Sequence, residues 1–394
     1  MVRSTSRASS QAAVLRAVHA RVGITRAAAV RDLEMPSGFA AETVARLAAL
    51  DLLEERPAPP TGGRGRPTTV LHPHPRGPLV AIAAIAHETW QVAAIEIGGA
   101  PVASVTGSHQ RDLAAVLAAV REGLSALDSA YGERIRAVAV AVPGTVTGSR
   151  LVQAPNLGWS DVDLSVLWSR YDQDCPFLVG NDATFSAVGE SLRGAARGAG
   201  TALHLYMDAG VGGAVIEGGR VLVGASGMAG EFGHMPFGDP QQRCRCGAPG
   251  CWNTSLDGLA LARALAHPEP ADEVSYARAV LRAAQNGKVP ELDVVHTLAR
   301  CLGRGAAGLV NAFDPHIVTV GGLGQHLLRV AGHEMSAAYL AGLMRFRSSP
   351  PPPLTSAQLG SDAPLVGAAE DAFARILTDA GLRAWSSSRE ASAS

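Results

Sequence analysis

The sequence predicts an α/β protein with a small helical head in front of it. Three observations point there. Helical apolar periods fill the first fifty residues. Beyond residue 78, short apolar runs such as Ile135–Val142 (IRAVAVAV) end in glycine or proline turns and alternate with helical stretches. One glycine-rich stretch gathers His234, Cys244, Cys246 and Cys251.

At 394 residues, 47% apolar and 18% charged, the chain can bury a sizeable core and divide into two or three units. No apolar run reaches the roughly 18 residues of a membrane span. The arginine- and serine-containing start lacks the apolar centre of a secretory signal, so a cytoplasmic protein without a membrane partner is expected. The net charge of −1 is unevenly spread: residues 1–76 hold 11 arginines against 6 acidic residues, and the rest holds 23 basic against 29 acidic. A basic head on an acidic body suggests nucleic-acid contact through the amino-terminal segment alone.

Residues 1–10 are small and polar and are expected to form a disordered arm. Val14, Leu15, Val18 and Val22 then follow a helical period that stops at Gly23. A second helix fits 25–33. Glu34-Met35-Pro36-Ser37 breaks the chain, since proline suits the first turn of a helix better than its interior. A third helix fits 37–50, with Val44 and Leu47 inward. Three helices with a short turn before the third, followed by a hairpin, predict a winged helix-turn-helix over residues 11–75. Ser37, Glu42, Thr43 and Arg46 are its candidate DNA-contacting residues on the third helix. In the hairpin loop, glycines permit close approach to a groove, and Arg64 and Arg66 supply phosphate or minor-groove contacts. The alternative is a small helical packing module with a flexible linker.

The body, 76–385, opens with two strands, 80–86 and 89–97, around a tight turn, followed by a helix at 113–127. Asn156, after Pro155, offers donor and acceptor to vicinal hydroxyls, or is simply a turn residue. Asn181 and Asp182 directly follow a short strand, where open α/β folds expose side chains to ligands; the same pair also suits a helix N-terminus. A strand at 203–207 leads into a glycine hairpin that starts at Asp208, and a long helix, 292–313, precedes a strand and Gly-Gly turn at 317–324. Pro350–Pro353 reads as an extended linker, 365–380 as a last helix stopping at Gly381, and 386–394 as a disordered tail. Cys175 and Cys301 read as buried apolar residues rather than a disulfide.

One imidazole and three thiolates can close a tetrahedral shell around zinc, leaving no position for a catalytic water, so the expected metal is structural and staples the loop 231–253. Gly247 and Gly250 let the knuckle turn tightly. Three of only five cysteines fall within eight residues, which argues against chance clustering.

The string Glu231-Phe-Gly-His234, nine residues, then Cys-x-Cys-Gly-x-x-Gly-Cys resembles the zinc signature of the ROK family, which contains sugar kinases and sugar-responsive repressors. The resemblance implies an actin-like ATPase (ribonuclease H-like) two-lobed body. It also implies the winged head, which the family's repressors carry with a Gly-Arg-Pro wing and its kinases usually lack. Carried onto this chain, Asn156, Asn181, Asp182, Glu231 and His234 would bind a sugar, and Asp182 stands at the position of the kinases' general base. The chain departs from the family at four places. The usual Gly-Leu-Ser-x-x-Thr-Val turn before the reading helix is replaced at 34–40. The first phosphate loop, Asp-x-Gly-Gly-Thr, is Ala84-Ile85-Ala86-His87-Glu88; the second begins Asp208-Ala209 instead of Gly-Thr; and Asn253 replaces a sugar-binding glutamate. Carboxylates at 88 and 208 would repel phosphate. The expectation is therefore a DNA-binding regulator, usually a repressor. It would have a pseudo-kinase body without ATP, a bound sugar or sugar phosphate, structural zinc, operator DNA as partner and a homodimeric or homotetrameric state. The alternatives are an ATP-dependent sugar kinase and a ligand-independent DNA-binding regulator.

Overall fold

The computed structural model describes residues 7–58, 69–168, 170, 175–225 and 227–393. They form two compact units, one from Met1–Val140, Asp163–Val179 and Ala369–Ser394, the other from Ala141–Val162 and Gly180–Ala368. Among the described residues no helix is long and apolar enough to cross a membrane.

The first unit begins with the head: helices Arg7–Ala20, Arg26–Asp32 and Ser37–Ala49, closed by a three-stranded sheet in the order Ile24–Thr25, Thr69–Pro73, Leu53–Pro57. Thr25 caps the second helix, its hydroxyl accepting the Ala28 N–H at 3.0 Å. Pro36, in extended conformation, holds the N-cap position of the third. Val14, Leu15, Val18, Leu47, Leu53 and Leu71 fill the core between them. The expected arm is corrected: the first helix starts at Arg7, and Ser10 is already buried. Val22 is 44% exposed, because that helix ends two residues before it.

The body of this unit is a five-stranded sheet ordered Phe177–Asn181, Ile135–Val142, Leu79–Ile85, Thr89–Glu96, Pro101–Ser108. The apolar run of Ile135–Val142 is buried along nearly its whole length, as a strand covered on both faces requires. Leu113–Tyr131, capped by Asp112, lies against Thr89–Glu96, with Gly123 facing Val92.

The carboxyl terminus departs from expectation. Helix Ala363–Ile376 is followed by a second helix, Asp379–Ala393, where a disordered tail was expected at 386–394. Leu382 and Trp385 are buried, Trp385 Nε1 donates to Leu50 O at 2.8 Å, and Arg389 pairs with Asp51. The tail is ordered by the head, through residues some 335 positions away in sequence.

The second unit holds a five-stranded sheet ordered Arg220–Val221, Val211–Glu217, Thr201–Met207, Ile317–Gly322, Leu354–Ser356, and a three-stranded sheet of Trp159–Asp163, Arg150–Ala154 and Thr145–Thr147. Thr201–Met207 pairs antiparallel with Val211–Glu217 and parallel with Ile317–Gly322. Gly322 turns the chain at φ +60, with Met207 O lying where a Cβ would go. Helices Glu273–Gln285, Val289–Phe313 and Leu323–Gly342 cover the larger sheet through a core in which Trp252 is fully buried. Cys175 and Cys301 are free and buried.

Candidate functional site

His234, Cys244, Cys246 and Cys251 place their ligand atoms within 4.8 Å of one another. Cys246 Sγ and Cys251 Sγ are 3.5 Å apart, and Cys244 Sγ is 3.7 Å from His234 Nδ1. Those separations fit a tetrahedron with metal–sulfur bonds of about 2.3 Å and a metal–nitrogen bond of about 2.0 Å. The knuckle is shaped by Gly247 and Gly250, both at positive φ, and by hydrogen bonds from Cys244 N to Ala248 O and Gly247 N to Cys244 O. Burial, then the neighbouring thiols, push the Cys251 thiol up to about 12, whereas the Ala248 backbone lowers Cys246. Three thiolates so close together need a cation, so the donor set suits a metal ion.

Trp252, next in chain to Cys251, anchors this loop. Its indole meets Phe237 edge-on at 5.6 Å and leaves Gly305 of helix Val289–Phe313 no room for a side chain.

The residues expected to hold a sugar all lie in the second unit. His234 turns Nδ1 to the cluster and Nε2 toward Glu231, 3.9 Å from its carboxylate. Both side chains are exposed enough to meet a ligand, at 38% and 53%. Asn156 is partly exposed in the turn where Leu157 N bonds to Ala154 O and Gly158 N to Pro155 O. Asn181 caps helix Asp182–Leu192: Oδ1 accepts from Thr184 N at 3.1 Å and Nδ2 donates to Gly144 O at 2.9 Å. Its amide is thus engaged in positioning Asp182. Burial, then the neighbouring Asp208, raise the Asp182 carboxyl to about 7. Asp208 in turn faces Arg278, at 3.8 Å. Asn253 Oδ1 accepts the Val211 N–H at 2.7 Å and sits against Gly210 and Gly233, tying the glycine hairpin to the Glu231–His234 turn. In the first unit, Glu88 lies in the tight turn between Leu79–Ile85 and Thr89–Glu96, its carbonyl accepting from His109 N.

On the third helix of the head, Glu42 and Arg46 are exposed and paired at 2.8 Å. Thr43 is corrected as a DNA contact: it is buried, and its hydroxyl donates to Phe39 O at 2.8 Å. It faces the core because it shares that side of the helix with Leu47, one turn on. Ser37 starts the helix. Arg64 and Arg66 lie outside the described residues.

Three arrangements had no sequence signal. The first is Arg278 beside Asp208. The second is a buried chain of His204, with Nε2 2.9 Å from Ser186 Oγ and Nδ1 2.8 Å from Thr319 Oγ1; burial lowers this imidazole to about 3. The third joins the head to the body of its unit: His19 Nδ1 accepts from Gly98 N at 2.9 Å, which leaves Nε2–H to donate to Glu370 at 3.1 Å. Partners up to 351 residues apart leave no periodicity to read.

A family model described as the ROK family matches residues 103–373. A glucokinase from Streptomyces coelicolor is 30% identical over 305 residues, covering 70% of this chain and 95% of its own. A xylose repressor from Bacillus subtilis is 30% identical over 192 residues, 48% of each chain. The crystal structure of a ROK family transcriptional regulator, a homologue of the E. coli MLC protein, superposes with a TM-score of 0.74 at 22% identity, covering 96% of this chain and 98% of that one. The ROK hexokinase from Thermus thermophilus gives 0.62 at 29% identity, covering 76% and 99%. The fold expected from the zinc motif is thus the one these structures share.

Proposed function

Because the chain belongs to the ROK family, we propose that it is a DNA-binding transcriptional regulator whose kinase-like body senses a sugar or sugar phosphate. The observation that carries this reading is the head. Three helices and a hairpin precede the matched family region; the glucokinase match leaves 30% of this chain uncovered while using 95% of its own, whereas the similar regulator structure spans nearly all of both chains. The head would place helix Ser37–Ala49 on operator DNA, with Glu42 and Arg46 exposed and Arg64 and Arg66 in the wing.

In the body, Asn156, Asp182, Glu231 and His234 would contact the ligand, with Asn181 holding Asp182 in place. Zinc, held by His234, Cys244, Cys246 and Cys251, would supply a rigid frame that keeps His234 Nε2 turned outward. Within the second unit Gly367 packs against the backbone carbonyl of Phe185, on the helix that begins with Asp182; within the first, Glu370 bonds to His19 of the head. Two such chains, as a homodimer or within a homotetramer, would read two half-sites.

Selection of bound fragments from genomic DNA by the purified full-length chain, with and without a panel of sugars, tests this. Enrichment of a discrete site that a sugar weakens or strengthens is the expected result; uniform, sugar-independent recovery overturns it.

The second reading is an ATP-dependent sugar kinase, favoured by the Asp182 carboxyl poised near neutrality, a fitting general base. Glu88 and Asp208, the latter partly offset by Arg278 at 3.8 Å, would stand where the family's loops meet phosphate and weigh against it.

A further inference from the structure

The first unit carries a cavity of roughly 670 Å³ that opens to the surface, lined by none of the residues assigned above to sugar, metal or DNA. Leu52 of the head, Phe177 at the sheet edge, and Leu382 and Trp385 of the last helix form its apolar walls. The volume lies within the roughly 300–1,000 Å³ typical of small-molecule sites. Arg136 and Arg375 are among the lining residues, and among the described residues no acidic residue lines it. The Arg136 side chain is only 13% exposed and extends Nη1 toward Ser388 Oγ at 3.5 Å. The carboxylates near these arginines, Glu133 at 3.9 Å from Arg136 and Asp371 one turn before Arg375, are not lining residues. The Cys175 thiol in the wall is held uncharged by burial.

Apolar surface, a partly desolvated cation and no acid in the lining select a ligand with a hydrocarbon or aromatic body and one acid group. We propose that this cavity binds a small amphipathic anion, such as a medium-chain or aromatic carboxylate, as a second effector distinct from any sugar. The same wall holds the head: Leu377 O accepts from Arg16 Nη1 at 2.9 Å, and Trp385 Nε1 donates to Leu50 O at 2.8 Å. An occupant would therefore touch the residues on which the head is seated.

The test titrates the full-length protein with 1-anilinonaphthalene-8-sulfonate, followed by fluorescence, and competes the dye with decanoate or, in parallel, decan-1-ol. One saturable equivalent is expected, displaced at least tenfold more effectively by the acid than by the alcohol. Ala384→Trp, which fills the cavity, and Arg375→Gln, at an exposed helix position, should each weaken dye binding at least tenfold. Arg375→Gln decides the matter should the bulkier variant fail to fold, with thermal melting as the check on folding. Absence of saturable binding, equal displacement by the alcohol, or undiminished affinity in a folded variant overturns the proposal.

Discussion

Asn253 Oδ1 accepts the backbone N–H of Val211 at 2.7 Å, so this side chain serves as a clasp. It joins the glycine hairpin after Thr201–Met207 to the turn that carries Glu231 and His234. Asn253→Ala should leave a partly buried N–H unpaired and cost about 1–3 kcal/mol of stability, read by denaturant unfolding. A cost below the error of the measurement would show that the clasp carries no weight.

The metal loop gives a second prediction. Cys246→Ser or Cys251→Ser should lose zinc, counted by elemental analysis as one ion per wild-type chain, and should weaken any ligand response along with it, because Glu231 and His234 lose their frame. Full ligand response in a zinc-free variant would show that the ligand site does not depend on the metal.

Asp182 yields a pH dependence. Its carboxyl titrates at about 7 in the fold against about 3.9 when unfolded, so the folded form favours the proton. Its contribution to stability is therefore fully present below the unfolded value and is lost as pH rises through 7. A sugar hydroxyl donates best to the ionised form, so sugar affinity measured by calorimetry should rise across the same interval and be flat in Asp182→Asn. ATP should be neither bound at millimolar concentration nor consumed with any hexose, since each like charge near a polyphosphate costs about 1 kcal/mol even at close range in water. Hexose-dependent turnover that Asp182→Asn abolishes would establish the kinase reading.

His204 titrates the other way. Burial holds its imidazole down at about 3, well below the ordinary value near 6.5, so the unfolded chain binds the extra proton first. The stability that the neutral ring contributes is complete above the unfolded value and falls away as pH drops from about 6.5 toward 3. Melting curves across that window should show the wild type losing stability on acidification more steeply than His204→Leu.

In the head, changing Arg64 and Arg66 together to Ala should weaken operator binding and lower the salt slope by roughly two phosphate contacts. Titrations at low and moderate salt that coincide with the wild type would remove the wing from the interface. Separately, His19→Ala removes one partner of the buried Glu370 and the acceptor of the Gly98 N–H, and should cost about 1–3 kcal/mol, seen as a lowered unfolding midpoint.

What the sequence determined by itself was set by local chemistry. Four ligands in one short stretch, the apolar run of Ile135–Val142, and proline at the entry to Ser37–Ala49 act over a few residues, so spacing alone exposes them. Asn181 was legible as either a cap or a ligand contact; only the positions of Thr184 N and Gly144 O give its amide a structural task. The tertiary structure alone decided which groups meet from distant places. A polar tail rich in serine reads as disordered until Trp385 finds Leu50, and Thr43 reads as a DNA contact until the head's core claims its face. Asp208 reads as a bare acid until Arg278 lies beside it. Burial and long-range pairing set these outcomes, because desolvation and charge act through space and leave no period in the chain.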